Sequence, residues 1–357
     1  MYERVLKRQA RPPLYVFGFS RWKTFIRDWF PDNDVIFAPT KINSLEFFLY
    51  WRWLILRHPR AEVLTWQYNG PKPLKGFCLK YGISFSHVED GFIRSLNLGA
   101  LRVPPLSLAF DRQDMYFAAA TPTDLEGILA SYDFDADPDL MMRARSAISQ
   151  MLDGGLSKYN SGASVNVETI YGPKTAKRVL VVGQVERDAS IAYGCSKPFT
   201  NNDLVRLARL ENPDADIIYK PHPEVLNGIA PVGSNLNEVR GLANILTQDV
   251  SLSDSFHTID HVYTITSLSG FEALLRGIEV TTVGCPFYAG WGLTDDRQPN
   301  GRRTRKLSVE QIFAAAYILY PKYFDPSTKS YIEIEDALRL LLRMRSSAQR
   351  ETCQFVK

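Results

Sequence analysis

The stretch Arg178-Val179-Leu180-Val181-Val182-Gly183, running into Gln184-Val185-Glu186-Arg187-Asp188-Ala189-Ser190, decides the fold. Val179 to Val182 leave no polar face, and a strand of that kind is buried on both sides, as in a parallel sheet covered by helices. The chain turns polar immediately afterwards. In open α/β sheets ligands sit beyond the carboxyl ends of the strands, so residues just past each strand are the first functional candidates. Further strands of this kind are read at Asp216–Lys220, Asn244–Leu246, His261–Thr266 and Glu279–Val283. An earlier series reads at Leu14–Phe19, Val35–Ala38, Glu62–Trp66 and Phe85–Glu89, with a crossover helix over Ser44–Leu56. Short apolar runs alternating with helical patterns are the βαβ signature. Between the two series, Asp153 to Pro173 is polar, carries four glycines and reads as a linker.

A chain of 357 residues is long for one core and comfortable for two, because single cores split above roughly 250–300 residues. The expected class is α/β, with two Rossmann-like domains around an interdomain cleft. The boundaries are read as 1–165 and 166–310, and 311–357 as helices partly crossing back to the first domain. The apolar period of Ile334–Leu342 is that of a helix in need of a partner surface.

Composition narrows the function. With 45% hydrophobic and 23% charged residues the chain is an ordinary globular protein, and 42 basic against 39 acidic residues leave a net charge of +3. Without a basic stripe or a reading module, nucleic acid is not an expected partner. Cys78, Cys195, Cys285 and Cys353 form no close pair, which fits reduced thiols in a cytoplasmic protein. No run reaches the roughly 18 apolar residues of a membrane span, and the basic N-terminus lacks a signal-peptide core. The stretches Ser20 to Phe30 and Phe47 to Arg60 mix cations with Trp22, Trp29, Trp51 and Trp53. That mixture fits peripheral contact with a membrane surface, and equally a buried amphipathic helix beside a cleft.

Four strand ends carry chemistry. Glu89-Asp90-Gly91-Phe92-Ile93-Arg94-Ser95 places two carboxylates at a turn, where one suits a nucleophile or base. The same pair also suits a helix cap or an ion pair with Arg94. Lys220-Pro221-His222-Pro223-Glu224 gathers three ionisable groups within five residues, with prolines fixing the backbone around His222. Lysine and histidine together neutralise a phosphate leaving group. Ser267, Ser269, Gly270 and Glu272 begin a helix whose free N–H groups suit an anion, although ordinary capping uses the same residue types. Gln184 and Asp188 follow the opening strand. Tyr288 and Trp291 lie in the loop Cys285 to Asp296, whose aromatics and glycines suit a cleft wall. No Walker motif, dinucleotide fingerprint or metal-ligand spacing is present, so no metal and no cofactor are expected.

Taken together, the strings YVFGFSRWK (15–23), VEDGFIRS (88–95), PPLSLAFD (104–111), LSKYN (156–160), VLVVGQVERDASI (179–191), IIYKPHPE (217–224), TSLSGFEALLRG (266–277), PFYAGWGLTDD (286–296) and YPKYFDP (320–326) resemble the KpsC/LipA-type Kdo transferases of capsular polysaccharide biosynthesis. The resemblance implies a GT-B fold with an acceptor-side first domain and a second domain binding CMP-β-Kdo. It implies transfer of Kdo with retained configuration to a Kdo-terminated glycolipid or oligosaccharide, on the cytoplasmic face of the inner membrane. Carried over residue by residue, Asp90 is the nucleophile that forms a covalent Kdo adduct and Glu89 its acid/base or orienting partner. His222, with Lys220 and Glu224 beside it, stabilises the departing CMP. Ser267, Ser269, Gly270 and Glu272 hold phosphate and ribose, Gln184 and Asp188 line the cleft, and Arg94 and Ser95 meet the Kdo carboxylate. Proteins of this type usually carry two transferase modules, whereas this chain holds one, whose GQVERDASI and KPHPE strings resemble the C-terminal module and imply a β-2,7 linkage. Two other classes share these features: an inverting sialyltransferase-like enzyme, and a non-catalytic subunit of a capsule assembly complex.

Overall fold

A computed structural model describes residues 11–96, 102–158, 160, 165–248 and 250–355, with side chains as far as 347. The first half contributes β1 (Pro13–Phe17), β2 (Asp34–Phe37), β3 (Glu62–Trp66), β4 (Ser84–Asp90) and β5 (Ser107–Asp111). The second contributes β6 (Arg178–Val182), β7 (Asp216–Lys220), β8 (Asn244–Ile245), β9 (His261–Thr264), β10 (Glu279–Thr282) and β11 (Asp295–Asp296). A C-terminal hairpin adds β12 (Pro321–Asp325) and β13 (Ser330–Ile332).

These strands form two sheets, ordered β13-β12-β5-β4-β3-β1-β2 and β11-β10-β9-β6-β7-β8. The second sheet is parallel throughout, and all five residues of β6 are buried, as the apolar run requires. In the first sheet β1 to β4 are parallel while β5 and β12 run antiparallel to their neighbours. Each sheet has one point where successive connections leave in opposite directions, between β1 and β3 in the first and between β6 and β9 in the second. Ligand crevices open at such points. At the first of them Gly18, at φ +71°, lets the backbone pass where a Cβ would lie 2.5 Å from Asn69 Cβ.

The helix over Ser44–Leu56 has the bounds read from its period, opened by an Asn43–Glu46 capping box and interrupted by a π turn at Phe47–Trp51. Asn201–Glu211 starts at a Thr200–Asp203 capping box and buries Leu204, Val205 and Ala208 against the second sheet. The C-terminal helix Ile334–Phe355 buries Ile334, Ala337, Leu338 and Leu341 at i, i+3, i+4 and i+7. It packs on the helix Pro138–Asp153 and on β12. The return to the first sheet is therefore made by a strand pair as well as by a helix, with Pro321 facing Ala109 and Tyr323 facing Ser107.

The segment read as a linker is not bare. Leu156 and Ser157 are buried, the short helix Glu168–Tyr171 packs Tyr171 into the second domain's core, and Gly154 and Gly155 offer carbonyls to Arg345. Tyr159 and residues 161–164 of that segment lie outside the described residues.

Candidate functional site

A cavity of about 680 Å³ opens between the two sheets, at the carboxyl ends of β6, β7 and β9 and facing the end of β4. Gln184 fixes its floor at the second switch point. Its Oε1 accepts from the Thr266 backbone N–H (2.8 Å) and its Nε2 donates to Thr266 Oγ1 (3.1 Å), tying the end of β6 to that of β9. Asn201 holds the Gln184 backbone from both sides, accepting its N–H (3.0 Å) and donating to its carbonyl (2.8 Å). Asp188 faces the cavity and caps the helix Ala189–Gly194 by accepting from Ser190 N–H (2.7 Å).

His222 caps the short helix Pro223–Leu226. Its Nδ1 accepts from the Glu224 N–H (3.2 Å), so the neutral ring carries its proton on Nε2 and donates from there. The prolines on either side make this orientation cheap to hold. Lys220 is buried beneath, its Nζ donating to the Val250 carbonyl (2.5 Å) at the cavity wall. Glu224 is half-buried with its pKa raised, first by desolvation and then by the charge of Asp188.

Ser267 caps the helix Leu268–Leu274, accepting from the Ser269 N–H (3.2 Å) and donating to Ser269 Oγ (3.1 Å). Both serines and Glu272 line the cavity. Glu272 is 1% exposed, accepts from the Lys158 backbone N–H (3.3 Å), and has no hydrogen-bond partner for Oε2. Burial pushes its pKa from 4.5 up to about 7, against the lowering charge of Arg276.

From the first sheet the cavity receives Glu89 but not Asp90. Successive residues of a strand point to opposite faces, so the two carboxylates at the end of β4 are separated by the backbone. Their surroundings differ as much as their directions. Glu89 is buried with Oε2 unpartnered, and desolvation, then the Asp90 charge, raise its pKa to about 7 while Lys158 and Lys23 oppose. Asp90 forms an ion pair with Arg94 (Oδ2 to Nε, 2.6 Å) and keeps Oδ1 unbonded.

Five further sequence candidates are not in the cavity wall. Arg94 and Ser95, expected at a sugar carboxylate, are fully buried: the guanidinium is spent on Asp90, Ser95 Oγ (2.8 Å) and the Val103 carbonyl (2.9 Å). Arg94 holds Asp90 directly and Ser95 braces Arg94, and neither lines the cavity. Gly270 lacks a side chain because a Cβ there would collide with Tyr288 Oη, so its role is helix–loop packing. Tyr288 donates from that hydroxyl to the Ser267 carbonyl (2.5 Å), and Trp291 is 1% exposed with Nε1 donating to the Phe287 carbonyl (2.8 Å). Both aromatics support the wall from behind.

Three residues are absent from the sequence candidates. Lys158 lies on the wall at the cleft and Arg345 reaches it from the C-terminal helix. Lys23 places its ammonium 2.7 Å from the Trp66 ring centroid; burial lowers its pKa to about 8 while Glu89 and Asp90 pull it up. Lys23 and Lys158 fall inside the FSRWK and LSKYN strings, but only folding brings them to the carboxylates. Among the described residues, no group of three or more His, Cys, Asp or Glu side chains is placed to hold a metal ion, and no helix is long and apolar enough to cross a membrane.

Two Rossmann-like sheets whose strand ends converge on one interdomain cleft define a protein of the GT-B fold type. Over residues 155–323 the chain matches the family described as capsule polysaccharide biosynthesis protein. It is 43% identical over 349 residues to the lipopolysaccharide-processing protein LpsZ of Rhizobium meliloti, covering 98% of this chain and 78% of that one. The capsule polysaccharide modification protein LipA of Neisseria meningitidis serogroup A is 42% identical over 95% of this chain, which spans 46% of that relative's length. The chain belongs to this KpsC/LipA-type capsule polysaccharide family. Among solved structures it resembles two chains of Thermosulfurimonas dismutans KpsC. One is described as a β-Kdo 2,4 transferase (TM-score 0.77, 30% identity, covering 94% of this chain and 99% of that one). The other is described as a β-Kdo 2,7 transferase (0.71, 29%, 93% and 99%).

Proposed function

We propose that this protein transfers Kdo from CMP-β-Kdo to a Kdo-containing glycolipid or glycan, with retention of configuration, through a covalent adduct on Asp90. The observation that carries the reading is the divided carboxylate pair at the end of β4. Two carboxylates held in different surroundings suit separate roles. Glu89, with its pKa near 7, suits proton transfer at neutral pH. Asp90, ion-paired through Oδ2 and unbonded at Oδ1, takes the nucleophile role that the family resemblance assigns it, and because it lies outside the cavity wall the sugar has to reach its side of the β4 end. Attack forms the Asp90–Kdo ester and breaks the bond to the CMP phosphate; the acceptor hydroxyl then displaces Asp90 and yields its proton to Glu89. His222 Nε2–H, with Ser267 and Ser269 opposite, stabilises the phosphate as it leaves, and Glu272 meets the ribose. No metal enters this scheme. A capsule precursor as acceptor fits a peripheral position at the cytoplasmic face of the inner membrane.

One observation favours a second assignment, with Glu89 as nucleophile, because it alone of the pair lines the cavity. Mixing the enzyme with CMP-Kdo generated in situ, without acceptor, followed by peptide mass analysis, separates the two. One Kdo on Asp90 is the expected result. An adduct on Glu89 reverses the roles, and inverted product configuration by NMR removes double displacement altogether. Both linkage positions have a structural counterpart in the KpsC chains, so methylation analysis of product on a Kdo-terminated acceptor reads 2,4 against the 2,7 linkage implied by the sequence strings.

A further inference from the structure

The helix Ser44–Leu56 has two apolar faces, and one of them packs on the rest of the first domain. Its inner face is occupied: Phe47 and Ile55 are buried, Trp51 packs edge-on against Tyr15 and Phe17, and Tyr15 Oη donates to the Leu54 carbonyl (3.0 Å). Its outer face carries Leu45 (66% exposed), Leu49 (69%), Trp53 (52%) and Leu56, spaced i, i+4, i+8 and i+11, with Phe48 and Tyr50 exposed at the margins. Large apolar side chains gathered on one exposed stripe mark a contact surface.

Charge says what covers it. Residues 41–60 hold four cations, Lys41, Arg52, Arg57 and Arg60, against the single acid Glu46, a local excess equal to the net charge of the whole chain. The Arg52 guanidinium lies 4.3 Å from the Trp53 ring centroid and 5.8 Å from that of Phe48, so cation and interfacial aromatics form one unit. A second copy docked face to face would bring these like charges together. An anionic lipid surface takes both the leucines and the cations.

We propose that this helix lies in the headgroup layer of an anionic bilayer, with Leu45, Leu49, Trp53 and Leu56 inserted and Arg52, Arg57 and Arg60 at the phosphates. The proposal rests on the glycolipid acceptor inferred above and deepens it. Lys41, Asn43 and Glu46, at the start of the helix, also wall a second cavity of about 750 Å³ at the first switch point, shared with Lys23 and Trp66. Docking on the bilayer sets the mouth of that cavity at the membrane, where an acceptor presents its sugar while its tail stays in lipid.

The test is co-sedimentation of the full chain, without sugar substrates, with vesicles of phosphatidylcholine alone or of equal parts phosphatidylcholine and phosphatidylglycerol. Binding is expected only to the anionic vesicles and is expected to weaken with salt. Leu49→Glu and Trp53→Glu should each reduce partitioning roughly tenfold or more, with unchanged thermal midpoint and unchanged turnover on a water-soluble acceptor. The proposal is overturned if the wild-type chain ignores anionic vesicles or if the variants bind as well as it does. It is also overturned if light scattering shows a dimer that Leu49→Glu dissolves, since the face is then covered by a second copy. Vesicle binding with no turnover on any acceptor would count against the transferase reading and leave the docking surface standing.

Discussion

Replacing Glu272 by Gln should change how stability depends on pH, and by an amount that follows from its burial. The side chain is 1% exposed, one oxygen accepts from the Lys158 N–H, and the other has no partner. Burial lifts its pKa from 4.5 to about 7, so between these values the folded chain holds a proton that the unfolded chain releases. That proton's contribution is complete below 4.5 and is lost as pH rises through 7. At 1.36 kcal/mol per pH unit the loss is roughly 3 kcal/mol. An amide keeps the acceptor for Lys158 and does not titrate. Its extra N–H donors carry a buried cost of about 1–3 kcal/mol, but this cost is the same at every pH. The diagnostic quantity is thus the slope of the variant-minus-wild-type difference. Urea unfolding of both proteins at several pH values from 4.5 to 8 should show that difference rising by roughly 3 kcal/mol in favour of Glu272→Gln over this range. Glu89 titrates in the same window but is present in both proteins and largely cancels. Two parallel stability curves would refute the argument, because they would mean that Glu272 is already ionised in the folded protein at low pH.

Asp90→Asn should keep CMP binding while abolishing adduct and nearly all transfer, since an amide fills the space without being a nucleophile; near wild-type turnover would count against it. Glu89→Gln should remove the limb of the pH–rate profile near 7, read from kcat/KM over pH 5.5–8.5. His222→Ala should weaken CMP by roughly ten- to a hundredfold, the equivalent of about 1.5–3 kcal/mol for a charge-assisted bond, in calorimetry with excess EDTA. Binding that requires a divalent ion would overturn the metal-free phosphate site. Glu126→Gln should cost about 3–5 kcal/mol in unfolding, because Arg302 (2.6 Å) and the buried Arg303 (3.0 Å) both lose their counter-charge.

Much of this architecture is legible before folding is considered. β6 declares itself because four apolar residues in a row have no solvated face, and the polar residues after it mark the cleft edge. The strands that escaped are those whose stability comes from distant partners. β12 begins with Pro321 inside the stretch read as helices, yet pairs with β5 more than two hundred residues upstream. Local pattern carries no trace of such a pairing. The site divides in the same way. Glu89, His222, Ser267 and Glu272 sit at strand ends and are found by position. Arg94 and Trp291 also sit after strands, but their side chains turn inward to satisfy Asp90 and the Phe287 carbonyl, a choice made by tertiary contacts. Arg345 reaches the cleft, and Lys23 the neighbourhood of Glu89 and Asp90, only through packing.

Domains joined by small polar interfaces move relative to one another by default, and a large apolar interface removes that freedom. Here the two sheets are joined by one continuous core. Phe92, beyond β4, lies against Phe287 of the second domain (4.7 Å between centroids) and Tyr317 (5.3 Å), while Phe271 of the Ser267-capped helix meets the same two rings at 5.4 and 5.8 Å. The helix Pro138–Asp153 and the C-terminal helix bury their apolar faces in the same cluster, and Arg143 joins them through Glu333 (2.7 Å) and Glu335 (2.8 Å). Opening the cleft would expose this aromatic layer and break the buried Glu126–Arg303 pair together with it. The cavity is therefore largely formed before any ligand arrives, and the positions of Glu89 and Glu272 on its two sides are set by the core rather than by the substrate. In the transfer proposed above, binding energy is then not consumed in closing the cleft.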